Sequence, residues 1–369
     1  MDKYKNPPTL LTETFLEREI KESNKKNGIL LLDLETNRTC NLRCNYCFIG
    51  NMSNINMSFE KVKKIINQAK KEGVKTINLI GGGDPTLYNY KNYNLLDIIN
   101  YIRKNKINIE MFTNGLVFGD NRMSKGIFNM DSKELIKTLY KKKVTIVFSI
   151  KSANKNTYNK IVGVTGKYNI MKKALKNLIS SQYTKNINKM PQLALETVMT
   201  KQNYKEIPNL FRFVRKNKII PFFEIVRISG KAKENKNKVA LSKKQVKNLF
   251  EKVLKIDQKE FGYTWLPIPP HFCFICDLNR FTAYITVNGI VYNCESFALK
   301  FGNIKNKKLK QILKNPKVKK IRNLAKNIKG NCQTCKFLKQ GDCYGGCIGQ
   351  AYAETNNAFS GDPVCWQND

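Results

Sequence analysis

Short apolar runs alternate with amphipathic segments along most of the chain. Six runs have the length and composition of buried strands: 29–34, 76–80, 107–112, 144–150, 193–199 and 221–228. Between them, apolar residues recur every three or four positions and predict helices that begin at Ser58 and Ser132 and others over 95–105, 167–180 and 206–216. Strands that alternate with helices predict a parallel sheet with right-handed crossovers, so the fold class is α/β.

The pattern differs at both ends of the chain. Residues 8–26 predict a polar helix, and residues 265–270 are rich in proline and predict a linker. Beyond the linker lie eight cysteines and an amphipathic stretch, 305–328, which Pro316 is expected to break into two short helices. We therefore divide the chain into an N-terminal helical extension (1–28), an α/β domain (29–262) and a small cysteine-rich domain (263–369).

Composition narrows the cellular setting and the partners. The 369 residues are 41% hydrophobic, and the N-terminal segment lacks the apolar core of a secretion signal. No apolar run approaches the roughly 20 residues that span a bilayer, so we expect a cytoplasmic protein without membrane contact. Thiols stay reduced there, and an odd total of 11 cysteines favours metal ligands over disulfides. The net charge of +38 is spread over basic runs without interleaved aromatic residues, so we do not expect a nucleic-acid partner.

Three closely spaced cysteines carry the strongest chemical signal. They are Cys40, Cys44 and Cys47, in the pattern C-x3-C-x2-C, and the only histidine, His271, is far away in sequence. A structural zinc ion needs four protein ligands, whereas a four-iron cubane held by three thiolates keeps one iron open for a substrate or cofactor. The triplet therefore favours a 4Fe–4S cluster; a zinc site or a disulfide pair is the alternative.

The triplet and the predicted strand ends resemble those of radical S-adenosylmethionine (radical SAM) enzymes, which have a partial (β/α)6 barrel. In such barrels functional groups collect where the parallel strands end. The resemblance implies that the amino and carboxylate groups of S-adenosylmethionine (SAM) chelate the open iron. It also implies that Tyr46 lies against the adenine and that Asp84, where the family has glutamate, contacts the amino group. The residues expected to bind SAM are Tyr46, Gly81, Gly82, Gly83, Asp84, Asn114, Ser149 and Arg227.

The C-terminal cysteines resemble the SPASM extension of radical SAM enzymes. Cys276-x12-Gly289-x4-Cys294 is followed by a C-x2-C-x7-C-x3-C core, in which the family usually has five residues where this chain has seven. By resemblance, one auxiliary 4Fe–4S cluster is held by Cys273, Cys276, Cys294 and Cys347, and a second by Cys332, Cys335, Cys343 and Cys365. A pair of zinc ribbons is the alternative. With three clusters, every cysteine is a ligand and no free thiol remains.

Three side chains at strand ends are candidates for proton transfer: Lys151, Glu196 and Glu224. Lys151 stands where many relatives carry aspartate, so their base cannot be copied to this chain. Glu196 lies in the fifth predicted strand and Glu224 in the sixth. Each has a structural alternative: Lys151 as a solvated lysine, and the glutamates as ion-pair partners, for example of Arg227.

The resemblance implies a mechanism and leaves the substrate open. The Cys40 cluster receives an electron from a flavodoxin- or ferredoxin-type donor and cleaves SAM, and the 5′-deoxyadenosyl radical takes a hydrogen atom from the substrate. We expect oxidative modification of a peptide or protein, because two auxiliary clusters are typical of such relatives and can accept the released electron. Oxidation or rearrangement of a small molecule, such as a sugar or antibiotic precursor, is the alternative. The hypothesis of a tRNA-modifying enzyme is supported only by the net charge. The hypothesis of an iron–sulfur electron carrier is disfavoured, because such a carrier does not need a loop that binds SAM.

Overall fold

Six parallel strands form a partial barrel, as the apolar runs predict. The computed structural model describes residues 5–50 and 52–367, so residues 1–4 and 368–369 of the predicted terminal segments lie outside it. The strands are β1 Leu31–Leu34, β2 Thr76–Leu79, β3 Asn89–Tyr90, β4 Tyr93–Asn94, β5 Asn108–Thr113, β6 Val144–Ser149, β7 Leu193–Met199, β8 Ile220–Ile225, β9 Thr282–Ile285, β10 Ile290–Tyr292 and β11 Lys300–Asn303. The six predicted runs correspond to β1, β2, β5, β6, β7 and β8.

The C-terminal region extends the barrel sheet. The strand order is β11-β10-β9-β1-β2-β5-β6-β7-β8, and neighbours from β9 to β8 pair in parallel. Strand β9 pairs with β1 in the register Leu31 to Thr282, and β10 and β11 continue antiparallel. The cysteine-rich region is therefore joined to the barrel by main-chain hydrogen bonds as well as by the connecting segment.

Sixteen α-helices lie in the described residues, and the longer ones bury an apolar face. They are α1 Glu17–Lys25, α2 Phe59–Lys71, α3 Leu95–Lys104, α4 Asn121–Phe128, α5 Ser132–Lys141, α6 Lys155–Val162, α7 Lys167–Ile179, α8 Ile207–Lys216, α9 Lys231–Glu234, α10 Lys236–Val239, α11 Lys243–Ile256, α12 Leu309–Leu313, α13 Pro316–Arg322, α14 Leu324–Asn327, α15 Lys336–Gln340 and α16 Ile348–Thr355. Ser58 caps α2 as predicted, because its hydroxyl accepts a hydrogen bond from the Lys61 N–H at 3.3 Å. Pro316 begins α13 and separates it from α12, also as predicted. In the part of the chain that is described, no helix has the length and apolar character that a membrane crossing requires.

The N-terminal segment is helical only in its second half, so the prediction of a helix over 8–26 is wrong for residues 8–16. Prolines at positions 7 and 8 disfavour helical backbone there, and α1 begins at Glu17. The extended part instead buries Leu10 against Ala194 and Ile220, near the N-terminal ends of β7 and β8. This segment closes the lower end of the barrel.

An aromatic cluster joins α11 to the C-terminal region. The ring of Phe250 lies 6.2 Å from Trp265, 4.6 Å from Phe272 and 5.4 Å from Trp366, measured between ring centres. Trp265 and Ile268 are buried, although we expected residues 265–270 to be a linker. The segment is irregular but packed, and its buried aromatic surface holds the cysteine-rich region against the barrel.

Gly81, which follows β2, marks a close approach between the barrel and β9. Its φ is +119°, and a Cβ atom there would lie 2.3 Å from the hydroxyl oxygen of Tyr284 in β9. We expect Gly81→Ala to lower the free energy of unfolding by about 2–4 kcal/mol, from backbone strain and overpacking together. The apparent melting temperature, followed by circular dichroism, measures this effect.

Gly126→Ala is the matched control. Gly126 lies in α4, and no described atom outside the adjacent backbone of α4 lies within 4 Å of the added Cβ, so alanine should stabilise that helix by up to about 1 kcal/mol. An unchanged melting temperature in Gly81→Ala would contradict the close packing of β9 against the glycine loop.

Candidate functional site

The glycine loop after β2 lies directly against the cysteine loop after β1. The Gly83 N–H donates to the Asn37 carbonyl at 2.9 Å, and the Asp84 N–H donates to the Thr39 carbonyl at 2.8 Å. A Cβ atom on Gly83 would lie 2.2 Å from the same Thr39 oxygen, so this contact requires glycine. The glycine loop therefore orders the start of the cysteine loop.

The rest of the cysteine loop is anchored by two other elements. The Arg43 N–H donates to the Val162 carbonyl at the end of α6 at 2.8 Å. The Lys231 N–H, at the start of α9, donates to the Cys47 carbonyl at 2.9 Å. With the loop fixed along its length, the three thiols of the triplet face one cavity.

This cavity opens at the C-terminal ends of the barrel strands and has a volume of about 160 Å³. We call it the strand-end cavity. Besides Cys40, Cys44 and Cys47, it is lined by seven of the eight residues expected to bind SAM: Tyr46, Gly81, Gly83, Asp84, Asn114, Ser149 and Arg227. The Tyr46 hydroxyl is buried and has no hydrogen-bond partner in the described part of the chain, which is the state expected of a group that binds a ligand.

Asp84 links two strand ends as well as lining the cavity. Its buried carboxylate accepts hydrogen bonds from the Thr86 N–H at 2.9 Å, the Thr113 hydroxyl at 2.9 Å and the Asn114 N–H at 2.7 Å. Burial raises its pKa, and these hydrogen bonds lower it. Asp84 thereby joins the ends of β2 and β5, and its contact with the amino group of SAM stays a prediction.

A buried network beneath the glycine loop was not predicted. The Glu35 carboxylate accepts hydrogen bonds from Arg38 Nε at 2.5 Å and from the Tyr284 hydroxyl at 2.9 Å. Gly82 does not line the strand-end cavity; a Cβ atom there would lie 2.1 Å from Glu35 Oε1. The glutamate directly after an apolar strand could have indicated this network, but its partner Tyr284 lies 249 residues away in sequence.

Lys151 is buried in the strand-end cavity, so the alternative of a solvated lysine is wrong. Its ammonium group contacts the Ser149 hydroxyl and lies 3.8 Å from the Glu196 carboxylate. Burial raises the pKa of the Cys44 thiol to about 12, and the Lys151 charge opposes that rise. A buried cation beside three thiols is suited to an anionic group of a ligand.

Arg227 connects the strand-end cavity with the C-terminal cysteines. It pairs with Glu224 at 3.0 Å and with Glu295 at 2.7 Å. Its charge also lowers the pKa of the Cys294 and Cys347 thiols, which burial raises to about 11 and about 12. Glu224 lines the cavity, and burial raises its pKa to about 7 although Arg227 opposes the shift. The expected ion pair of Glu224 with Arg227 is present.

Seven of the eight C-terminal cysteines form two groups. Coulombic interactions link the thiols within each group; the groups are Cys276, Cys294 and Cys347, and Cys332, Cys335, Cys343 and Cys365. Burial is the main cause that raises the pKa of six of these thiols, for example to about 12 in Cys365; the six are Cys276, Cys294, Cys332, Cys343, Cys347 and Cys365. Ligation needs thiolates, so each group requires positive charge among its sulfurs, which the irons of a cluster supply.

The Cys273 thiol contacts a buried ion pair. Its thiol is 3.2 Å from Arg215 Nη2 and 3.8 Å from Asp257 Oδ2. Arg215 and Asp257 form a buried bidentate ion pair at 2.9 and 2.7 Å. Burial raises the pKa of Cys273, and the other contributions come from this pair and not from another cysteine. In this conformation the first auxiliary group contains three thiols, and ligation by Cys273 stays a prediction.

Over residues 5–50 and 52–367, no three His, Cys, Asp or Glu side chains are grouped closely enough to enclose a single metal ion. The three groups of cysteines offer sulfur donors alone, which a 4Fe–4S cluster takes as thiolate ligands.

Comparison with known families agrees with this geometry. Residues 34–214 match the model of the radical SAM superfamily, and residues 276–336 match the SPASM model, an iron-sulfur cluster-binding domain. This chain belongs to the radical SAM superfamily. Members of the superfamily are enzymes that use SAM and a 4Fe–4S cluster, and SPASM domains bind iron–sulfur clusters.

The relatives have different substrates. The "tungsten-containing aldehyde ferredoxin oxidoreductase cofactor-modifying protein" of Pyrococcus furiosus is 26% identical over 192 residues, 50% of this chain and 47% of that protein, so this chain spans about half the length of that relative. The AdoMet-dependent heme synthase of Methanosarcina barkeri is 20% identical over 92% of this chain and 97% of its own. The crystal structure of SuiB from Streptococcus suis bound to the precursor peptide SuiA has a TM-score of 0.66 at 22% identity, over 94% of this chain and 79% of that chain. That likeness shows a shared fold.

Cys273→Ser tests the separation of Cys273 from the first auxiliary group. Because its thiol contacts Arg215 and Asp257, we expect this variant to keep the wild-type iron content. Cys276→Ser is the matched control; it removes a thiol of the group and should lower the iron content by about four atoms per chain. Iron per chain after anaerobic reconstitution is the measurement. An equal loss in both variants would show that Cys273 is the fourth ligand.

Proposed function

We propose that this protein is a radical SAM enzyme with three 4Fe–4S clusters that oxidatively modifies a peptide or protein. The supporting observation is the strand-end cavity, where three thiols of one anchored loop face a buried lysine and the backbone of a glycine loop. When bound, the cluster and SAM supply the 5′-deoxyadenosyl radical that takes a hydrogen atom from an unreactive carbon. The protein binds and orients the reactants and excludes water from them.

The residues that line the cavity have chemical counterparts on SAM. The Lys151 ammonium group is suited to the carboxylate of the methionine part, because it supplies positive charge beside the thiols. The backbone of Gly81 and Gly83 permits a close approach of the same part. The unpartnered Tyr46 hydroxyl is available to the adenosine part.

We assign the clusters from the three groups of thiols. Cys40, Cys44 and Cys47 hold the cluster that binds SAM. The two C-terminal groups hold auxiliary clusters, which accept the electron released after hydrogen abstraction. Arg227 lies between the strand-end cavity and Cys294 and is positioned to stabilise negative charge on that route. A flavodoxin- or ferredoxin-type protein is the proposed source of the reducing electron.

A peptide substrate is supported by the fold and by the surface charge. SuiB, whose fold this chain shares, has been crystallised with a precursor peptide. The net charge of +38 favours association with an acidic segment, such as an acidic leader peptide. A small molecule is the second candidate, because the heme synthase relative aligns over nearly the whole of both chains.

SAM cleavage is the experiment that tests the proposal. Reconstituted protein with about twelve irons per chain should release 5′-deoxyadenosine when it receives dithionite and SAM, as measured by liquid chromatography and mass spectrometry. The variant with Cys40, Cys44 and Cys47 changed to alanine should keep about eight irons and release none. Wild-type protein that carries about twelve irons and does not cleave SAM would reject the proposal.

Glu224 is the proposed general base, and its pKa predicts a pH dependence. Because the base must be ionised, turnover should rise with pH, with a midpoint near pH 7, and Glu224→Gln should abolish this rise. Glu260→Gln, which changes an exposed partner of Arg212, is the control and should keep the profile. Identical profiles in wild type and Glu224→Gln would exclude this role.

The same carboxyl predicts a change in stability. Its folded-state pKa of about 7 lies above the usual 4.5, so ionisation of Glu224 destabilises the fold as pH rises through that interval. Relative to wild type, Glu224→Gln should therefore gain stability between about pH 4.5 and pH 7. Chemical denaturation at several pH values measures the difference, and a constant difference would argue against the raised pKa.

A further inference from the structure

A second cavity lies deeper in the barrel and is acidic. It has a volume of about 220 Å³, and its lining includes the carboxyl side chains of Glu13, Asp33, Asp277 and Glu295. We call it the acidic chamber. Ile80 and Phe112 line both the acidic chamber and the strand-end cavity, so the two cavities meet at these side chains.

One row of the barrel interior supplies the polar groups beside the chamber. Strand pairing aligns Asp33 in β1 with Asn78 in β2, and Asn78 with Glu110 in β5. Ile80 and Phe112 follow two residues later on the same faces, about 7 Å nearer the strand ends. The acidic row therefore lies one layer of side chains below the strand-end cavity.

Some of these carboxyl groups have cationic partners and others do not. Glu295 pairs with Arg227 at 2.7 Å, and Asp277 pairs with Arg280 at 3.4 Å. Within the described part of the chain, Glu13, Asp33 and Glu110 form no ion pair with a lysine or arginine; the Thr12 hydroxyl donates a hydrogen bond to Glu110 Oε2. Burial raises the pKa of Glu13, Asp33 and Glu110, so these groups favour the protonated form, and a cation in the chamber would stabilise their ionised form.

The unpartnered atoms that face the chamber point to a donor ligand. Among the described residues, Asp33 Oδ2 and Asn78 Oδ1 have no hydrogen-bond partner, although the two residues are only 1% and 2% exposed. The Asn78 amide N–H is already used, since it donates to Asp33 Oδ1 at 3.2 Å. His271 lines the same chamber, and its Nδ1 is also without a partner. Carboxylate and amide oxygens without donors are suited to a group that carries several N–H bonds and a positive charge.

We propose that the acidic chamber receives a positively charged N–H donor of the substrate, a primary ammonium or guanidinium group. This inference rests on the proposed function and narrows its substrate class: the anchored cation places a neighbouring carbon at the boundary formed by Ile80 and Phe112, facing the strand-end cavity. The chain has 66 basic and 28 acidic residues, and five of the acidic residues gather here. The acidic chamber therefore attracts positively charged groups, although the basic protein surface repels them.

A ligand series on the wild-type holoenzyme tests the charge. The probes are N-acetyl-lysine methylamide, N-acetyl-arginine methylamide, n-butylamine and the uncharged N-acetyl-norleucine methylamide, with dissociation constants from isothermal titration calorimetry. At least one cationic probe should bind about tenfold or more tightly than the norleucine probe. If the lysine or arginine derivative binds more tightly than butylamine, the cation comes from a peptide. If butylamine binds with equal affinity, the cation comes from a small amine. If the norleucine probe binds as tightly as every cationic probe, the inference is overturned.

The Asp33→Asn variant tests whether the preference for cationic probes arises in the acidic chamber. This change keeps the shape of the side chain and removes its charge, so the ratio of cationic to norleucine affinity should fall about tenfold. Glu134→Gln, on the exposed face of α5, is the control and should keep the wild-type ratio. An unchanged ratio in Asp33→Asn would locate binding elsewhere, and if that variant does not fold, the wild-type series still decides the matter.

The two proposals can fail separately. Release of 5′-deoxyadenosine is measured on the same protein batches as probe binding. Charge-selective binding without SAM cleavage would reject the proposed function and keep the chamber as a cation site. SAM cleavage without charge-selective binding would reject the chamber and keep the proposed function.

Discussion

Two backbone hydrogen bonds between the glycine loop and the cysteine loop set the geometry on which the site depends. They run from Gly83 to Asn37 and from Asp84 to Thr39, and they require a closer approach than any side chain on Gly83 would allow. The two loops follow β1 and β2, which are parallel neighbours in the sheet. Sheet order therefore brings the loops together, and glycine lets them touch, so that the three thiols share one cavity with the glycine backbone.

Charge placement separates the interior from the surface. The chain carries a net charge of +38, yet the barrel interior holds the acidic row of Asp33 and Glu110 and the paired Glu196 and Glu224. Buried ion pairs contribute little net stability, because desolvation offsets their attraction. We therefore infer that these groups are retained for what they bind. Lysine and arginine balance the upper cavity, whereas part of the lower chamber has acceptors without a counter-charge.

Local patterns predicted what depends on local chemistry. The six barrel strands followed from their apolar runs, and the cavity residues followed from motifs at the strand ends. Groups joined by long-range pairing could not be predicted: Tyr284 reaches Glu35 only because β9 pairs with β1, and Asp33, Asn78 and Glu110 form a row only through sheet register. A polar residue inside an apolar strand, such as Asp33, indicates a buried polar group, but the local sequence does not show which residues lie beside it. The predicted N-terminal helix is longer than α1, because the prolines at positions 7 and 8 disfavour helical backbone at its start.

We propose that the protein leaves one iron of the Cys40 cluster open and that SAM binds it. Electron–nuclear double resonance on the reduced protein, with SAM labelled by ¹⁵N in its amino group, tests this most directly. The experiment uses the variant that lacks both auxiliary groups of thiols, because the auxiliary clusters would give overlapping signals. We predict a hyperfine coupling between the labelled nitrogen and the cluster, which is lost when SAM is omitted. A cluster spectrum that SAM does not change, without nitrogen coupling, would contradict the account.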